Sequence, residues 1–178
     1  MRPYYQIYLL LFLLLINSCA LFVSDEQRAE ITKVAFKAHF DSLYAWYDIH
    51  PPNEGFMRVI FLQSKYLNDN VVAEISEKLY PNFIALRTDS SDINWIYDTA
   101  ITSEGKEFTY TKDILDHNTG LPVYIVVIDS IKVRTPRVVS LHLYTADNRG
   151  RHYQGSKWWL SKIGGNWKPD STYVMWEN

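Results

Sequence analysis

The stretch "VVSLHLYTADNRGRHYQGSKWWL", residues 138–160, decides the fold. In its first half Val139, Leu141 and Leu143 alternate with Ser140, His142 and Tyr144. A period of two puts the first set against a core and the second on the opposite face of a sheet. "DNRG", residues 147–150, is turn chemistry, so the second half returns as the neighbouring strand. Folding back across that turn sets Tyr144 opposite Tyr153 and Val139 opposite Trp158. Trp158 and Leu160 then join the core side. Tyr153, Lys157 and Trp159 fall beside His142 and Tyr144. Gly155 is a candidate bulge, which would turn the residues beyond it over.

The same logic extends through the C-terminal half. Strands are expected at residues 108–115, 122–128, 137–146, 151–163 and 167–176. They are separated by "DHNTG" from Asp116, by Thr135 and Pro136, by "DNRG", and by Gly164 and Gly165. Adjacent glycines between strands mark a hairpin, because both can take positive φ. Asp116 is expected to form an Asx-type turn, with Gly120 tolerating positive φ.

Upstream, Ser24 with Gln27 three residues on opens a helix. Phe36, Phe40, Leu43 and Tyr47 share one face of it, and Pro51 and Pro52 end it. Short strands at residues 57–62 and 83–87 flank a second helix at residues 69–79, which Pro81 stops. Residues 88–106 are polar and the least ordered part expected. The fold class is therefore α+β: an N-terminal helix and a small αβ segment, followed by an antiparallel sheet. Residues 19–178 make one domain.

The N-terminus supplies an address. Arg2 precedes an apolar run at residues 7–16, about half the ~20 residues that a membrane span needs. A basic start, an apolar middle and small residues after it form an export signal. "INSC", Ile16 to Cys19, resembles a bacterial lipobox, with Ile16 and Asn17 departing from its commonest form. The resemblance implies cleavage after residue 18, so that residues 1–18 are a lipoprotein signal peptide, and lipidation of Cys19. Two or more acyl chains hold stably where one does not. Ala20 follows where aspartate often marks inner-membrane retention, which implies the outer membrane. Two other readings stand beside this one: an uncleaved anchor over residues 7–23, and a secreted protein with an incidental cysteine.

Cys19 is the only cysteine, so no disulfide forms within the chain and packing must stabilise it. Six Trp, thirteen Tyr and eight Phe provide large burial and, for Tyr and Trp, contacts with partners. The formal net charge of −2 is unevenly spread. After residue 131, eight Lys and Arg, among them Lys132, Arg134 and Lys157, face three acids. An acidic total and an extracytoplasmic address exclude nucleic acid as a partner.

Signatures of chemistry are sparse. There is no G-x-S-x-G elbow, no phosphate loop and no helical His pair. His142 and His152 lie on adjacent strands, but the expected register puts them on opposite faces, so no metal or cofactor is expected. His39 sits mid-helix among polar neighbours. The pairs Asp113 with Asp116 and Asp89 with Asp92 read as solvated turn residues. What remains is one aromatic and basic face: His142, Tyr144, Tyr153, Lys157 and Trp159. Either it takes a ligand, or a helix or the chain's own loops cover it as a second core layer.

Residues 116–176 also resemble a family of uncharacterised exported bacterial proteins. The shared positions are Asp116, Thr119, Gly120 and Pro122; Tyr144; Gly165 and Trp167; and Trp176, with "VIFLQS" upstream. Pro169 departs from the pattern, which implies an irregular or edge last strand. The resemblance implies a curved-sheet fold of the cystatin-like or nuclear-transport-factor-like type and brings no activity. The function expected is a membrane-anchored lipoprotein acting as a binding or interaction module of the cell envelope, for a glycan or an envelope protein. The alternative is an envelope enzyme with its pocket on the concave face of the sheet.

Overall fold

The computed structural model describes residues 23–49, 59–77, 85–147 and 153–177. Cys19 and its lipobox, the stops at Pro51, Pro52 and Pro81, most of the "DNRG" turn and His152 lie outside the described residues.

Helix α1 spans Asp25–Ile49. Its start is the expected capping box: the Gln27 amide donates to Ser24 Oγ at 3.3 Å, and the Ser24 amide to Gln27 Oε1 at 3.4 Å. Ile31, Ala35, Phe36 and Phe40 form its buried stripe, and the two phenylalanine rings stack at 5.7 Å. Strand β1 (Val59–Gln63) leads to helix α2 (Asp69–Glu77), which Asn68 caps by accepting from the Val71 amide at 2.9 Å. Lys33 ties the helices together, with Nζ 2.6 Å from Glu30 on its own helix and 2.9 Å from Glu74 on α2.

Strand β2 (Ala85–Arg87) follows, then a short 3-10 turn, Ser90–Asp92, and a hairpin of β3 (Ile93–Ile101) and β4 (Glu107–Asp116). This corrects the expectation of a poorly ordered stretch at residues 88–106. The aspartates and serines cluster only before Ile93, and β3 itself is a run of Trp, Ile and Tyr that pairs with β4 throughout. Nor does β4 join the main sheet, as the sequence suggested.

The main sheet adds β5 (Val123–Thr135), β6 (Val138–Ala146), β7 (Tyr153–Ile163) and β8 (Asn166–Glu177), in the order β2-β1-β5-β6-β7-β8. The antiparallel meander β5 to β8 is the expected one. Strand β1 is parallel to both neighbours, which the sequence did not disclose. Four of its five residues are buried, as befits a strand covered on both faces. Strand β8 is an edge strand, and its pairing slips at Asp170, directly after Pro169.

The register of the central hairpin differs from expectation by two residues. Tyr144 pairs with Gly155 and Val139 with Leu160, because the connection is longer than "DNRG" alone. A shift of two leaves every side chain on its expected face. Gly155 is not a bulge. The irregularity opposite it lies in β8, where Met175 is the unpaired residue between Val174 and Trp176.

Two cores result, one on each face of the sheet. On the helical face, Phe36, Phe40, Leu141, Leu143, Trp158 and Leu160 pack with α1 and α2. Arg28 closes one end of this core, donating to the Val23 carbonyl, Tyr66 Oη and the Ile131 carbonyl. On the other face, Ile93 and Ile114 from the base of the hairpin cover Phe61, Val123, Ile125 and Ala146.

Candidate functional site

Cross-strand pairing lays out the face opposite α1 as parallel rows running from β5 to β8. The row nearest the covered end holds Ile125, Ala146 and Tyr153. The next holds Val127, Tyr144, Gly155 and Trp176. Then come Asp129, His142, Lys157 and Tyr173, followed by Lys132, Ser140, Trp159 and Ser171. All five residues expected on this face are therefore brought onto it. The hairpin base covers the end near Ala146. From Tyr144 onward the side chains are half-buried or exposed, apart from Gly155 and Ser140.

The face is organised by ring contacts. Lys157 Nζ lies over the Trp159 ring, 5.0 Å from its centroid, a cation–π pairing. The Tyr144 and Trp176 rings stack at 6.1 Å with an interplanar angle of 29°. They meet above Gly155, where a Cβ would stand 2.6 Å from Trp176 Cε2. Only glycine leaves room for this stack. His142 meets the edge of Tyr144 at 6.3 Å.

His142 Nδ1 also faces two hydroxyls, Ser130 Oγ at 3.4 Å and Tyr144 Oη at 3.5 Å. Ser130 occupies a bulge of β5 and has φ 45°, in the left-handed region that non-glycine residues enter at a cost. Arg134, two residues beyond Lys132, reaches the same face by strand alternation, and its Nε donates to Ser140 Oγ at 3.1 Å. Lys132, Arg134, Lys157 and Lys168 thus surround the rows, with two acids among them, Asp129 beside His142 and Asp170 in the β8 slip between Lys168 and Ser171. The arrangement attracts anions and offers flat apolar surfaces to stack against.

Sequence reasoning missed Tyr173, Trp176 and Ser130. The signal for Trp176 was present: a glycine facing an aromatic on one neighbouring strand leaves a place for an aromatic from the other. Nothing in the sequence marks Ser130 as a bulge residue.

Two sites outside this face also differ from expectation. His39 is buried, not polar-flanked. Its Nε2 lies 3.2 Å from Tyr124 Oη, its ring lies parallel to that of Tyr124, and Trp158 meets it edge-on. Burial lowers its pKa to about 4 and raises that of Tyr124 to about 12. Asp116 forms its turn, accepting from Thr119 N at 3.0 Å and Oγ1 at 2.6 Å, with Gly120 at φ 67°. It is not solvated, however. It is fully buried and paired with Arg87, whose Nε lies 2.7 Å away. The guanidinium's hydrogen bond holds the carboxyl below its ordinary range.

Among the described residues, no three His, Cys, Asp or Glu side chains gather to hold a metal ion, and no helix is long and apolar enough to cross a membrane. No family model, curated protein or solved structure matches this chain.

Proposed function

We propose that this protein is a bacterial lipoprotein, lipidated at Cys19, whose domain docks an anionic envelope partner, glycan or protein, on the open half of the sheet face. One observation carries the binding reading: Lys157 over Trp159, beside the Tyr144–Trp176 stack, on a part of the sheet that neither helix nor hairpin covers. A cation over one ring and a second aromatic platform beside it suit a negatively charged, flat-sided ligand.

The short apolar run ending in "INSC" supports the anchor and, with Ala20, the outer membrane. Bulges in β5 and β8 support the curved-sheet architecture and the resemblance to exported lipoproteins of that type, since each bends its strand.

Two measurements test this. Metabolic labelling with a palmitate analogue should mark the protein, and Cys19→Ala should abolish the label; persistence of label in the variant refutes the anchor. In co-sedimentation with envelope polysaccharide isolated from the source cells, the protein should pellet. Tyr144→Ala with Trp159→Ala should release it while the thermal melt stays cooperative. Sedimentation unaffected by that pair refutes the face.

A further inference from the structure

Val23 is held in the body of the domain. Its side chain is 3% exposed, and Arg28 Nε donates to its carbonyl at 3.2 Å. Cys19 lies four peptide steps before it, a reach of about 14 Å at most. With acyl chains on Cys19, a bilayer surface therefore lies against the domain itself, near the start of α1.

That start lies toward one end of the sheet. Arg28 also meets the Ile131 carbonyl, while His39, further along the helix, meets Tyr124. Helix α1 thus runs opposite to β5 and begins toward the end where β5 finishes, at Thr135. The β5–β6 and β7–β8 turns share this end, and the Lys162 amide joins them by donating to the Arg137 carbonyl at 2.8 Å. Strand β1, parallel to β5, finishes here too, in the turn that carries Lys65.

This end is basic. Lys132, Arg134, Arg137, Lys162 and Lys168 lie on or beside the two hairpin turns, and none of them is in an ion pair among the described residues. Ile163, at the tip of β7, is 58% exposed. The acids divide by side. Asp25, Glu26 and Asp69 open the helices on one side of the sheet. Lys132, Arg134 and Lys168 point to the other, with Asp170 beside them. We infer that the two hairpin turns rest on an anionic bilayer surface, with Arg137, Lys162 and Lys168 among its phosphates and Ile163 against its interfacial layer. Basic groups within a Debye length of such a surface add to what acyl chains supply. The sheet then stands on end, and its open face stays free for the envelope partner. The assignment rests on the lipid anchor proposed above and adds which surface meets the membrane.

The test uses the acylated full-length protein in vesicles of phosphatidylethanolamine and phosphatidylglycerol. A thiol-reactive fluorophore is placed on Ile163→Cys or, at the other end of the same strand about 33 Å away, on Tyr153→Cys. Lipid spin-labelled in its headgroup should quench the first and spare the second, and aqueous iodide should do the reverse. Arg137→Glu with Lys168→Glu should lower the ratio of shielded to unshielded Ile163 label at least tenfold, as should vesicles of phosphatidylcholine alone. Equal access of iodide to both labels, in protein whose acylation at Cys19 is verified by mass, overturns the contact and leaves the anchor standing. Shielding of the Ile163 label that ignores both the charge reversal and the lipid charge overturns the anionic contact. A Cys19 that carries no acyl chain overturns both the anchor and the contact.

Discussion

Tyr144 and Trp176 lie on strands two apart and stack over the one residue between them that has no side chain, Gly155. The edge strand β8 is held to the meander there by aromatic contact as well as by backbone hydrogen bonds. Gly155→Ala puts a methyl group inside the Trp176 ring. It should cost about 1–3 kcal/mol, the range for overpacking a filled site. Adding Trp176→Ala should remove most of the extra loss. Urea melts of the two single variants and the double variant measure this, and additive losses would contradict the steric account.

Trp158 and Trp159 are adjacent in the chain and opposite in consequence. Trp158 is buried against α1, and its Nε1 donates to Ser156 Oγ at 2.9 Å. Trp159 is half-buried on the other face. Trp158→Ala should destabilise by about 3–5 kcal/mol, and Trp159→Ala by clearly less. Equal shifts of the denaturant midpoint would show that both sides of β7 are closed.

His39 gives the fold an acid limit. Its folded pKa of about 4 lies below its ordinary value of 6.5, so the unfolded chain binds the proton more readily between these values. The stability tied to neutral His39 is fully present above about pH 6.5 and is lost as pH falls through about 4. The loss between pH 7 and pH 5 should be about 2 kcal/mol. His39→Phe should flatten that slope. An unchanged slope in denaturant melts at the two pH values would mean that another group carries it.

Arg87→Met strips the buried Asp116 carboxylate of its cation. Breaking such a pair costs about 3 kcal/mol. The wild-type carboxyl is held below its ordinary range, so its contribution is present at neutral pH and fades as pH falls through that lowered value. The difference between wild type and variant should therefore be largest near pH 7 and shrink below about pH 4. A gap that stays constant with pH would point to lost packing instead.

Local patterns were legible in the sequence where one side of an element is buried and the other is wet. The capping box at Ser24, the alternation around His142 and the turns at Gly120 and at Gly164 and Gly165 all read correctly. The hairpin register was misjudged by two residues because turn length, unlike parity, leaves no trace in the alternation. Partnership was hidden altogether. Nothing local to "VIFLQ" says that it runs parallel to β5, and nothing near Asp116 says that Arg87 lies against it. His39 resisted for a similar reason. Lys37 and Asp41 nearby in sequence suggest a wet helix face, while its neighbours in space, Tyr124 and Trp158, come from the far half of the chain.

The placement of β1 between β2 and β5 bears on the order in which the chain acquires structure. Helix α1 and strand β1 come first from the ribosome, yet the surfaces they bury against are made by strands from residue 123 onward. Until those strands exist, the stripe of Ile31, Phe36 and Phe40 has no sheet to rest on. Contacts so distant along the chain form slowly, since the loop they close must be ordered first. The meander β5 to β8, joined by short connections, can assemble early and act as the template. The N-terminal half therefore completes its packing last.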